Sequence, residues 1–219
     1  MTLSSIKGGP IRWLWDQGKR IFERLRGDDV TTTVKPDPEI RDTFLEKERR
    51  AGHSEASNRE LLNGQITVQR WVLDFRTRLK DVYRNEYLLG RGGRQNMTAS
   101  DWGKLGAMLK KQYQYLNGFA RDIQAGKVSE GQMARRAQMY FDSSRQAFER
   151  GKSSATGMPD LPAYPGDGQT QCLSNCQCTW DIEETNTEWR ATWSLGAAEH
   201  CPDCVANAAR WNPLVYQRT

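Results

Sequence analysis

The stretch Gln171–Cys204, QCLSNCQCTWDIEETNTEWRATWSLGAAEHCPDC, holds all 5 cysteines of a 219-residue chain. The pattern is Cys172-x3-Cys176-x-Cys178, and 22 residues separate Cys178 from the pair in His200-Cys201-x2-Cys204. Between them, Trp180 and Ile182 alternate with polar residues, as do Trp189, Ala191, Trp193 and Leu195. Glu184-Thr185-Asn186-Thr187 has turn character, so the segment predicts a β-hairpin. A hairpin returns the chain to its origin and would set Cys176 and Cys178 beside Cys201 and Cys204. Two cysteine pairs at the open end of a hairpin offer the four sulfurs that Zn²⁺ takes tetrahedrally. A module this small buries little apolar area, so metal binding would supply much of its folding free energy. Arg190, Arg210 and backbone N–H groups would offset the thiolate charge.

Three states of the cysteines remain open from the pattern: a structural zinc site, disulfides, or reduced thiols without metal. Five is an odd number, so disulfides would leave at least one thiol free within a chain. The expected zinc ligands are Cys176, Cys178, Cys201 and Cys204, with Cys172 and His200 able to replace one of them. A catalytic zinc keeps a position open to water, whereas sulfur saturates this set. A cysteine nucleophile would need a paired base, and His200, the sole nearby histidine, adjoins expected ligands.

Working back from the cysteines, residues 152–171 are rich in Gly, Pro, Ser and Asp and read as a connection. Residues 58–151 read as helical. Leu61, Leu62, Ile66, Val72, Leu73, Phe75, Leu79, Val82, Tyr83 and Leu88 keep a helical period, which Gly90, Gly92 and Gly93 stop. Thr98 and Asp101 open a second helix with the stripe Trp102, Leu105, Leu109, Tyr113, Leu116, Phe119 and Ile123. Ser129 and Gln132 form a capping box for a third, carrying Met133, Ala137, Tyr140, Ser144 and Phe148 and closed by Gly151. Short connections between long helices imply antiparallel neighbours. The expected fold is therefore mainly α: an antiparallel three-helix bundle with an N-terminal helical arm and a small C-terminal zinc-ribbon-like β-hairpin module at 172–219.

Residues 1–57 read as that arm and its linker. Ile11, Leu14, Trp15, Ile21, Phe22 and Leu25 fall on one helical stripe, with Pro36 and Pro38 in the linker that follows. Such a stripe packs on the chain's own body, docks into a groove on a partner or lies on a membrane surface, a reading that the acidic residues on its polar face oppose.

Composition narrows the rest. Lys+Arg 32 against Asp+Glu 27 gives +5, which permits contact with nucleic acid or an acidic surface without demanding it. No apolar run approaches the roughly 18 residues of a transmembrane helix, and no charged-then-apolar leader opens the chain. Leu89-Gly90-Arg91-Gly92-Gly93-Arg94 could cradle a phosphate, but it lacks the Lys-Ser/Thr ending of a P-loop and reads first as an interhelical turn. Lys110, Lys111, Arg121, Arg135, Arg136, Arg145 and Arg150 are outer-face charges that could form a basic surface. No acid/base couple stands out, and no enzymatic activity is expected.

The run Pro165-Gly166-Asp167-Gly168-x-Thr170-x-Cys172-x3-Cys176-x-Cys178 resembles the cysteine-rich tail of phage head morphogenesis proteins, the minor head proteins. His200-Cys201-Pro202-Asp203-Cys204 and Asn175-Cys176-Gln177-Cys178 are similar to that family's His-adjacent Cys-x2-Cys and Asn-Cys-x-Cys elements. Gly92-Gly93, Asp101-Trp102-Gly103, Gln112-Tyr113-x-Tyr115-Leu116 and Arg136-Ala137-x2-Tyr140 extend the likeness over roughly residues 58–212. In the usual arrangement the His-Cys-x2-Cys element comes first; here it comes last, as in a permuted or distant relative. The resemblance implies a non-enzymatic structural component of a phage virion, made in the host cytoplasm. It implies portal, major capsid protein or neighbouring copies as partners, with packaged DNA as a further contact, and neither a membrane nor a small-molecule substrate. The alternative is a zinc-ribbon nucleic-acid-binding protein. Asp181, Glu183, Glu184 and Glu188 along the hairpin oppose it by repelling phosphates.

Overall fold

The computed structural model describes residues 55–218 together with Lys47. The arm, with Ile11, Leu14, Trp15, Ile21, Phe22 and Leu25, lies outside the described residues.

The chain is mainly helical, with a small three-stranded antiparallel sheet near its C-terminus. The helices are α1 (Glu55–Leu62), α2 (Val68–Arg91), α3 (Ala99–Gln124), α4 (Glu130–Asp142), α5 (Arg145–Ala155) and α6 (Pro202–Arg210). The strands are β1 (Thr179–Glu184), β2 (Glu188–Ser194) and β3 (Leu214–Gln217), in the order β1-β2-β3. No helix among the described residues is long and apolar enough to cross a membrane.

Local chemistry sets the boundaries. Thr67 caps α2, its hydroxyl accepting from the Arg70 N–H at 3.2 Å, and Gly92 ends that helix in the left-handed region at φ 80°. Thr98 and Asp101 form a complete capping box on α3, and Ser129 and Gln132 form another on α4. In two places the helix count exceeds the sequence reading. The first periodic run is broken after Leu62, where Gly64 adopts a left-handed turn and Thr67 starts a new helix. The third is broken at Ser143–Ser144, because both hydroxyls turn back to carbonyls three residues upstream, Tyr140 and Phe141. Such bonds compete with the helical ladder.

The main core gathers Trp71, Phe75, Leu79, Tyr83, Leu116, Phe119, Met133, Ala137, Phe141 and Ala147. Rings meet edge to face, as Trp71 on Phe119 with centroids 5.6 Å apart. The buried Trp71 indole donates to Asn58 Oδ1 at 3.0 Å, tying the residue range of α1 to α2. Three residues placed on the inner stripes by periodicity, Leu62, Leu73 and Trp102, are exposed.

Contacts between α2 and α3 run in opposite senses, pairing Trp71 with Phe119 and Tyr87 with Asp101. Contacts between α2 and α5 instead advance together, Tyr83 with Gln146 and Tyr87 with Ser154. The backbones nearly touch there. A Cβ on Gly90 would meet the Phe148 carbonyl at 2.2 Å, and one on Gly151 the Tyr87 carbonyl at 2.4 Å. Both glycines lie inside helices, and close packing, not helix termination, is their role.

Asp101 locks the same end. It is buried and accepts from the Tyr87 hydroxyl at 2.8 Å, Arg91 Nε at 3.1 Å, and the Thr98 N–H and hydroxyl at 2.9 and 2.8 Å. Burial alone would raise its pKa. The hydrogen bonds from Thr98, Tyr87 and Arg91 outweigh burial and hold the carboxyl well below the usual carboxylate range.

Candidate metal centre

A second core lies beneath the sheet. Trp180, Trp193 and Trp211 pack with centroids 5.2 to 5.7 Å apart, joined by Met158, Leu161, Tyr164 and Ala191. The hairpin register pairs Trp180 with Trp193 and Ile182 with Ala191, one residue pair inward and the next outward. The Trp180 indole donates to the Ala163 carbonyl at 2.9 Å, and the Trp193 N–H to the Trp211 carbonyl at 3.0 Å. At the open end of the hairpin the two flanks come into contact, since a Cβ on Gly196 would sit 2.4 Å from the Gln177 carbonyl.

All five cysteines are free thiols, and they converge on this end. The ligand atoms of Cys172, Cys176 and Cys204 all lie within 4.8 Å of one another. Cys204 Sγ is 3.6 Å from Cys172 Sγ and 3.6 Å from Cys176 Sγ. Cys178 interacts with Cys176 and Cys204 on one flank, and Cys201 with Cys204 and Cys172 on the other. Cys176, Cys178 and Cys204 are buried, while Cys172 and Cys201 are partly exposed.

Each sulfur reaches the cluster for a local reason. Cys172 and Cys176 flank a single 3₁₀ turn, Leu173–Asn175, in which Leu173 takes φ 51°, uncommon for a residue with a side chain. Cys201 caps α6, Pro202 occupies its first turn, and Cys204 follows on the buried side. Asp203 of that turn accepts from the Gln171 N–H at 2.8 Å, fastening the Cys172 loop to α6.

The electrostatics divide the thiols, favouring the thiolate at Cys178 and Cys201 and the neutral thiol at Cys176 and Cys204. A hydrogen bond from the Cys176 thiol first, then the Gly196 N–H, the Cys204 thiol and the Trp193 indole, hold Cys178 down to about 5 against burial. Sharing that proton with Cys178, and burial, push Cys176 up, although the Cys178 N–H opposes the rise. Burial first, then hydrogen bonds with Cys201 and Cys172, raise Cys204. At Cys201 burial is outweighed by the backbone N–H groups of Cys204 and Cys172, and the thiol is lowered. Backbone N–H donors aimed at sulfur are what a multi-thiolate site needs. The Trp193 Nε1 is buried and faces the Cys178 sulfur.

Of the residues expected from the sequence, Cys176 and Cys204 fall in the tight trio and Cys178 and Cys201 flank it. Cys172, held in reserve by the spacing argument, is in the trio itself. His200 is partly exposed and joins no group of three clustered ligand atoms among the described residues. Arg190 does not offset the sulfurs' charge; it pairs with Glu188 at 2.6 Å on the exposed side of the sheet. Helix α6 and strand β3 were not anticipated. Pro202 and Asp203 after Cys201 are a helix-start signal that could have found α6.

The cluster has the donors and the spacing to hold a metal ion. Comparisons with protein-family models, with curated proteins and with solved structures find no match.

Proposed function

We propose that the chain is a non-enzymatic structural component of a phage virion, a minor head or capsid-associated protein whose zinc-ribbon-like C-terminal end is stapled by one structural Zn²⁺. The zinc reading is carried by one observation, the convergence of five thiols from two separate segments, the Cys172–Cys178 loop and the start of α6. Two thiolates on one tetrahedral zinc, with Zn–S bonds of about 2.3 Å, stand about 3.8 Å apart. The 3.6 Å separations here fit that edge and are far beyond a disulfide's roughly 2.05 Å. Cys172, Cys176 and Cys204 would supply three thiolates and Cys178 or Cys201 the fourth. A bound zinc supplies closed coordination that joins the Cys172–Cys178 loop to α6. With sulfur at every position no site remains for an activated water, which supports a structural role.

The virion assignment is supported by the motif likeness around Pro165–Cys178 and His200–Cys204, and by the combination of a helical body with a stapled end. Portal, major capsid protein and neighbouring copies are the proposed partners.

Elemental mass spectrometry of the purified protein, with thiol titration before and after chelation, tests the zinc. About one zinc per chain, with thiols that become reactive only after chelation, is expected; a metal-free protein with all thiols reactive sinks it. The virion assignment requires the chain in purified particles at a fixed ratio to the shell protein, and its absence from them defeats that reading.

A further inference from the structure

A cleft between α3, α4 and the 158–175 connection belongs to neither core. It has two lobes, of about 340 and 260 Å³, which share Lys111, Gln112 and Asp167 as a common wall. Beyond that wall the larger lobe is partly apolar: Tyr115, Met139 and Leu173 border it, all exposed. The smaller lobe is cationic, lined by Lys104, Lys111 and Arg150.

Most charges around the cleft are already matched. Lys104 pairs with Asp160 at 2.5 Å, and Arg136 pairs with Asp122 at 2.9 Å. The Asp167 carboxylate is taken up by the Tyr164 N–H at 2.8 Å, the Gln169 N–H at 2.9 Å and the Gln169 amide at 2.8 Å. Lys111 and Arg150 have no carboxylate partner among the described residues. The Arg150 guanidinium lies over the Tyr164 ring at 4.0 Å, and its Nε is buried without a hydrogen bond.

Two further polar groups lie in the walls. Gln112 is 8% exposed and borders both lobes. Ser174 is also 8% exposed, lines the larger lobe, and has an unpartnered Oγ. Buried polar groups without partners are costly, so the Ser174 Oγ and the Arg150 Nε in one cleft point to a polar ligand.

We propose that this cleft binds a nucleotide unit, its phosphate against Lys111 and Arg150 and its base over the Tyr115 ring. Lys111 and Tyr115 stand one turn apart on the same face of α3, about 6 Å along the axis. That spacing suits one phosphate and its own base. The exposed Tyr115 ring offers the stacking surface that any base can use. The Gln112 amide, donor and acceptor at once, can meet the edge of a base. A purely acidic ligand would use the cations and leave the aromatic lobe and the amide without purpose. The unit could come from a free nucleotide or from single-stranded nucleic acid. This inference does not depend on the virion assignment, and it needs the Cys172–Cys176 turn folded, since Leu173 and Ser174 wall the larger lobe.

The test is calorimetric titration of the purified full chain with thymidine monophosphate, a short oligothymidylate, inorganic phosphate and a polyglutamate peptide. Both nucleotide probes are expected to bind, with phosphate at least tenfold weaker than either. Lys111→Glu and Tyr115→Ala should each weaken nucleotide binding by about tenfold. Both side chains are exposed and make no hydrogen bond that holds the fold, and matching thermal melts verify this. Equal affinity for monophosphate and oligonucleotide assigns a free nucleotide; much tighter, salt-sensitive oligonucleotide binding assigns single-stranded nucleic acid. The proposal is overturned if neither nucleotide binds, if phosphate or polyglutamate binds as tightly, or if both substitutions leave the affinity unchanged.

Discussion

The helical body and the C-terminal module solve the same problem by different means. The body buries a continuous aromatic and aliphatic core across α2, α3, α4 and α5, with α2 and α3 running over 24 and 26 residues. The module has strands of six, seven and four residues and one nine-residue helix. Its core is three tryptophans and a handful of neighbours, with three of the five cysteine thiols among them. A small unit recovers little free energy from area. On the proposed zinc reading, the comparison teaches that the body is held by buried surface, whereas the module depends on what its thiols bind.

The strongest test of that contrast is metal removal. Structural zinc sites contribute on the order of 10 kcal/mol or more to folding. Chelation is therefore expected to abolish the near-ultraviolet circular dichroism of Trp180, Trp193 and Trp211 while most far-ultraviolet helical signal persists. Cys204→Ser should do the same, since Cys204 touches both other members of the trio. If the helical signal collapses with the tryptophan signal, the two regions are one cooperative unit and the contrast fails.

Within the body the largest single loss is expected at Asp101. Asp101→Asn would leave Arg91 half-buried beside a neutral amide and break a four-donor network, at a cost of about 3 kcal/mol. Urea unfolding followed by far-ultraviolet circular dichroism measures it. The carboxyl is held below its ordinary 3.8 in the folded chain, so the unfolded state binds the proton more tightly. Its contribution is fully present above about pH 4 and is lost as pH falls below that. Asp101→Asn should flatten the acid limb of the body's stability curve and leave the neutral-pH behaviour of the module unchanged.

A smaller effect separates packing from propensity. Ala replaces Gly inside a helix with a gain of up to about 1 kcal/mol. Gly103, in α3, has open space around its Cβ position and should show that gain. Gly151→Ala must push against the Tyr87 carbonyl and should instead lose about 1–3 kcal/mol. Paired thermal melts give opposite signs if α2 and α5 meet as described.

Much of this was legible in the sequence, and the reasons differ by feature. Both capping boxes were readable because cap and partner sit three residues apart, a purely local signal. The hairpin was readable because Trp180, Ile182, Ala191 and Trp193 alternate in a two-residue period. The division of the third helix was hidden, because Ser144 sits on the expected apolar stripe and only tertiary context shows it donating to Glu86 at 2.5 Å. At the metal centre, convergence of the two ends followed from the hairpin. The place of Cys172 did not, because it depends on the left-handed Leu173 and on Asp203 fastening the loop.

The least disruptive change tests the seam between the two regions. Glu149 of α5 is 1% exposed, and its carboxylate accepts from the Trp180 N–H at 3.1 Å and from Lys152 Nζ at 2.9 Å. Lys152 in turn donates to the Trp180 carbonyl. Body and module are thus joined through one buried carboxylate that grips the backbone of β1. Glu149→Gln keeps the shape and one acceptor but removes the charge that Lys152 balances, for an expected loss of about 1–2 kcal/mol. Because that bond spans the seam, the loss should fall on coupling more than on either core. The chelator-induced tryptophan transition is expected at lower chelator concentration, with the body's own melting temperature moved by a few degrees at most. A drop confined to the body's own melting, with the tryptophan transition unmoved, would show that Glu149 serves the body's core alone, and that the module is carried by its thiols without help from α5.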